Sequence, residues 1–66
     1  MQVNYKKLWK LMIDRDIKKS TLREDTKISS STMAKMSRNE YVSMEILVKI
    51  CLYLGCTFDD IVEIEK

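Results

Sequence analysis

Proline and histidine are absent from this chain, glycine occurs once and cysteine twice. Tight hairpins usually need glycine or Asn-Gly, and neither an Asn-Gly pair nor a second glycine is present. The scarcity points to an all-α chain. Without histidine, Cys51 and Cys56 fall short of a four-ligand zinc site, and two thiols make no disulfide framework. They read as small apolar core residues. No apolar run is long enough to span a bilayer. The opening Met-Gln-Val-Asn has neither the apolar centre nor the cleavage site of a signal peptide. A cytoplasmic protein with no membrane partner is expected.

The 66 residues suffice for one domain, 1–66, with no room for a separate ligand-sensing unit. No cofactor and no small-molecule effector is expected. The apolar fraction of 45% suits a folded core. The net charge of +2 is unevenly spread. Residues 1–38 carry ten Lys/Arg against four Asp/Glu, a net +6. Residues 39–66 carry two against six, a net −4. A basic N-terminal half suits an anionic partner, although solvated helix faces also collect lysine.

Apolar spacing divides the chain into five short helices. The first runs from about Tyr5 to Arg15, with Asn4 as its N-cap and Tyr5, Leu8, Trp9, Met12 and Ile13 on one side. Trp9 lies within that stripe and is expected in the core. The second spans about Lys19–Thr26, and Lys27 stands where glycine usually ends a helix. The third starts after Ser29, with Ile28 and Met33 as a hydrophobic staple and Asn39 able to take the left-handed conformation that ends it. The fourth follows Ser43, stapled by Val42 and Leu47 and stopped by Gly55. The fifth follows Cys56-Thr57, with Ile61 stapled, Asp60 in capping-box position and Phe58, Ile61 and Val62 on its apolar face. Helices this short cannot stand alone. They are expected to share a core of Leu8, Trp9, Met12, Leu22, Ile28, Met33, Met36, Leu47, Ile50, Leu54 and Ile61.

Two short helices in tandem, the second with a small polar outer side, have the form that lays a helix in a DNA groove. The spacing from Ile17 to Leu22, then Ile28-Ser29-Ser30-Ser31-Thr32-Met33, then Val42 through Leu47 and Ile50 through Leu54-Gly55-Cys56, and finally Asp59-Asp60-Ile61, resembles the lambda-repressor-like XRE/Cro family of helix-turn-helix regulators. The resemblance covers nearly the whole chain. It rests on the order of the segments over about 45 residues rather than on any single motif.

The resemblance implies a compact five-helix fold whose second and third helices form the helix-turn-helix. It implies binding of double-stranded DNA by a small transcriptional regulator, a repressor, with a recognition helix at about 30–36 in the major groove. By position, Ser29 would be cap and phosphate contact. Ser30, Ser31, Ala34 and Lys35 would face the groove, with Thr32 partly so. Lys18 and Lys19 replace the family's usual Thr/Ser-Gln pair and would add charge at phosphates. Arg38, Asn39 and Tyr41 lie in the following loop, which often grips the opposite strand. Glu40 departs from the basic residues common there and would repel phosphate unless it points away.

Serines read bases weakly, and Lys35 is the only long donor on the face, with guanine its natural target. So thin a code calls for a homodimer reading two half-sites about 34–36 Å apart. Phe58, Ile64 and Tyr53 either form the dimer surface or close the core. The alternative class is a protein-interaction module, an antitoxin-like or accessory partner using the acidic C-terminal half. An enzyme is not expected: Ser29–Ser31 have no assigned base, and helix capping accounts for them.

Overall fold

The structure, a computed structural model, describes residues 2–66. A short strand β1 (Gln2–Asn4) is followed by four helices, α1 (Lys6–Asp14), α2 (Lys19–Thr26), α3 (Ser30–Ser37) and α4 (Met44–Leu54). A 3₁₀ turn (Phe58–Asp60) leads into a second strand, β2 (Glu63–Glu65). The predominantly helical architecture agrees with the expected class, and the five-helix count does not. The capping box forms: the Thr57 amide and hydroxyl both donate to Asp60 Oδ2, at 3.0 and 3.2 Å. It closes a single 3₁₀ turn instead of starting a helix. Ile61 is then buried, and the chain straightens into the three-residue strand Glu63–Glu65.

β2 pairs antiparallel with β1 in the register Gln2↔Glu65, Val3↔Ile64 and Asn4↔Glu63. Scarce glycine argues against hairpins, but these strands come from opposite ends of the chain and need no hairpin turn. The buried Asn4 fastens the sheet by donating from Nδ2 to Glu65 Oε2 at 3.0 Å. Its Oδ1 accepts from the Lys6 amide at 3.2 Å, so Asn4 still serves the start of α1, although Tyr5 holds the cap position.

The seam of α1 is Tyr5, Leu8 and Met12, all buried. Leu11 is half-buried on one flank and Trp9 on the other. Ile13, expected on the buried side, is 73% exposed. It lies beyond Trp9 at the outer edge of the stripe, where α1 has no neighbour to cover it. The cluster continues through Leu22, Ile28, Met33, Met36, Ile50, Cys51, Leu54 and Ile61, with Trp9 and Leu47 packed half-buried against it. Two polar contacts tie elements across this core. The Arg15 guanidinium donates to the Leu54 carbonyl at the end of α4, and the Tyr53 hydroxyl donates to Asp25 Oδ2 of α2 at 2.6 Å. No helix among the described residues is long and apolar enough to cross a membrane.

Each helix ends in the same way. Asp16, Lys27, Asn39 and Gly55 have φ of 55, 60, 58 and 67°. After each, the next amide reaches back to a carbonyl five residues earlier. The bonds are Ile17 to Met12 (2.9 Å), Ile28 to Arg23 (3.1 Å), Glu40 to Lys35 (2.9 Å) and Cys56 to Cys51 (3.0 Å). This is the Schellman closure, which satisfies terminal carbonyls and turns the chain sharply. Only one of the four positions is glycine, so three turns hold a side chain in the left-handed region at some cost.

Lys27→Gly is therefore expected to stabilise the fold by about 0.5–1 kcal/mol, raising the thermal midpoint by about 4–8 °C per kcal/mol. Calorimetry checks this, and an unchanged or lower midpoint would contradict it. The hydrogen bonds from Thr57 hold the Asp60 carboxyl below its ordinary pKa of 3.8. A depressed carboxylate contributes stability that is complete above the ordinary value and fades as pH falls through the lowered one. In acid unfolding followed by circular dichroism, Asp60→Asn should flatten the slope below about pH 4.

Candidate nucleic-acid interface

Ser29 sets the start of α3. Its backbone is extended, with φ −69° and ψ 155°, and its Oγ accepts from the Thr32 amide at 3.2 Å. The expected cap is present. The Ser31 and Thr32 hydroxyls also lie 3.1 and 2.9 Å from Ser29 Oγ, so three side chains share one hydroxyl cluster at the helix entrance. Beneath it Ile28, Met33 and Met36 are buried. That staple fixes the angle at which α3 leaves α2.

With Met33 and Met36 turned inward, the opposite side of α3 carries Ser31, Ala34, Lys35 and Arg38, three and four residues apart. Ser31, Lys35 and Arg38 are exposed and Ala34 half-buried. The remaining candidates flank this ridge. Ser30 and Ala34 border a groove between α2 and α3, together with Lys19, Ser20, Arg23 and Ser37. Thr32 and Lys35 border a hollow on the other side, with Tyr41, Val42, Ser43 and Ile46. Asn39 is half-buried and lies with Gln2, Glu40 and Tyr41 beside the first strand. Asn39 closes α3 in the left-handed conformation, as expected. Lys18 is exposed at the cap position of α2, where no side chain caps the helix.

Sequence reasoning missed Ser20, Arg23, Ser37 and Ser43 as neighbours of these residues. The i,i+4 spacing of Lys19 and Arg23 was the available signal for a shared basic side of α2.

Two contacts shape the charge of this surface. Glu40 Oε2 pairs with Arg38 Nε, so the glutamate is taken up by its neighbour. Both groups are solvent-exposed, and such a pair contributes little to stability. The Glu40 carbonyl accepts from the Tyr5 hydroxyl at 2.7 Å, which pins the loop after α3 to the start of α1. Burial raises the pKa of that phenol. The second contact holds Lys19 Nζ 4.1 Å from the Trp9 ring centre. Trp9 is thus a half-buried side chain with a cation over its face, not the wholly interior residue its place in the stripe suggested. Among the described residues, no three His, Cys, Asp or Glu side chains gather as a metal site. Cys51 is buried and Cys56 half-buried. Burial, followed by the neighbouring Cys56, pushes the Cys51 thiol up to about 11, so it is an inert packing group.

Residues 7–66 match the family model of the Cro/C1-type helix-turn-helix DNA-binding domain. Among solved structures, the chain is similar to the crystal structure of the transcriptional regulator VanUg. The identity is 56%, over 94% of this chain and 83% of that one, with a TM-score of 0.92. No curated protein matches.

Ser29→Ala removes the cap of α3 and should lower stability by about 1 kcal/mol. Ser29→Asp, which can also cap, should restore most of the loss. Urea unfolding of the two variants measures both effects, and equal midpoints for Ser29→Ala and the parent would exclude the capping role.

Proposed function

The chain belongs to the Cro/C1-type helix-turn-helix family of DNA-binding domains, and from that premise we propose that it is a small, sequence-specific regulator of transcription that reads duplex DNA with α3. The observation that supports this reading most directly is the outer ridge of α3. It presents Ser31, Ala34, Lys35 and Arg38 away from the core, on a helix fixed at both ends by Ser29 and Asn39. In the major groove, Lys35 reaches guanine, Ala34 meets a thymine methyl, and Ser30, Ser31 and Thr32 contribute permissive hydrogen bonds.

Lys18, Lys19 and Arg38, with the Ser29 end of α3, bind phosphates and supply most of the affinity. Tyr41 and Asn39 meet the backbone beyond the helix. Residues 1–66 act as one DNA-binding unit, in the cytoplasm and without a small-molecule effector. It is a repressor that occupies a promoter and excludes polymerase.

So small a code is doubled in a homodimer that reads two half-sites. Its surface is Phe58 and Ile64 of the C-terminal segment, continued by Met44 of α4, all exposed. Their exposure favours the dimer role over the alternative of closing the core. Tyr53 is as exposed as Phe58, but its hydroxyl is already bonded to Asp25, and it belongs to the α2–α4 contact.

Selection of duplexes from a random pool at fixed salt is expected to enrich a palindromic consensus. Against that consensus, Lys35→Ala should weaken binding by about 5- to 150-fold and relax one position. Lys18→Ala should weaken all sequences alike and lower the salt slope by about one. Absence of any duplex binding at low salt, with a stable complex to another protein, would replace this reading by that of a protein-interaction module.

A further inference from the structure

We propose that Trp9 is a positioning residue for DNA-backbone recognition, acting through Lys19. The inference rests on the reading of Lys19 as a phosphate contact. It starts from the 4.1 Å stacking of the Lys19 ammonium on the indole. Lys19 is the first residue of α2 and borders the groove between α2 and α3. Trp9 comes from α1, half-buried against the core, so the ring itself is held by packing.

A free lysine stem samples many rotamers, and a contact with phosphate must order it. Here the ring fixes the ammonium during folding. The ring takes one side of the ammonium, and the N–H donors not turned toward it remain for another acceptor. Lys19 opens α2, whose first-turn amides receive no cap bond from the Lys18 side chain. A phosphate oxygen approaching α2 therefore meets a cation already in place. This arrangement recovers the geometric precision that a flexible lysine would otherwise lack. Mere coverage of the indole by the lysine stem would stabilise the fold and leave DNA affinity untouched.

A double-mutant cycle separates the two. Affinity for the duplex that the parent chain selects from a random pool is measured over a salt series for the parent, Trp9→Leu, Lys19→Met and the double variant. Lys19→Met should lower the salt slope by about one. Trp9→Leu should cost about two- to tenfold in affinity, and the double variant no more than Lys19→Met alone. Trp9→Phe, which retains a weaker aromatic face, should recover part of the loss.

Equal affinity for Trp9→Leu and the parent overturns the positioning role, as do losses that multiply. An unchanged affinity and slope for Lys19→Met, or no selected duplex at all, overturns the phosphate contact beneath it. A second measurement needs no variant that might unfold. In the parent chain, the Lys19 methylene protons should show an upfield ring-current shift in NMR spectra, and keep it in the DNA complex. Ordinary lysine shifts in the complex would overturn the proposal.

Discussion

Four residues in the left-handed region decide where every helix of this protein points. Each carries the chain out of one helix, and the amide after it reaches back to a carbonyl five positions earlier. Such a closure leaves little freedom to the next segment. After Asp16, Lys27 and Gly55 it also turns an apolar residue, Ile17, Ile28 or Cys56, toward the core. A core this small cannot orient four short helices by packing alone. Turn geometry carries much of that task, and α3 lies between two such turns, at Lys27 and Asn39.

The polar loop after α3 shows how local chemistry and tertiary contact combine. Asn39 stops the helix, the Glu40 amide satisfies the Lys35 carbonyl, and the Glu40 carbonyl receives the Tyr5 hydroxyl. Its side chain meanwhile engages Arg38. A residue that looked repulsive toward phosphate therefore works mainly as a structural bracket. The cation beside it meets a ligand only in competition with its own carboxylate, whereas Lys35 has no such neighbour among the described ion pairs.

Much of this was legible from residue order. The Ser29 and Ser43 caps with their staples located α3 and α4, and the bounds of α2 followed from Lys19 and Thr26. These signals are local, so they survive without knowledge of the fold. The Thr57–Asp60 box was equally local but ambiguous, because the same bonds close a 3₁₀ turn. The strand pair was invisible for the opposite reason: Val3 and Ile64 meet only through space, and neither tripeptide is long enough to show alternation. In the site, the outer side of α3 could be read from Met33 and Met36. The neighbours Ser20, Arg23 and Ser43 depend on how α2 and α4 cross α3. The stacking of Lys19 on Trp9 depends on the turn at Asp16, which carried no glycine to announce it.

The antiparallel pairing of β1 with β2 brings Gln2 beside Glu65, so the outer ends of the two strands lie side by side. Tension applied through those two residues meets the outermost rung of the ladder first. It opens the strands one pair at a time, as a zipper does, instead of shearing all the rungs together. The strand pair is therefore a mechanical fuse. It yields before the load reaches α1, because its outermost rung takes the force first.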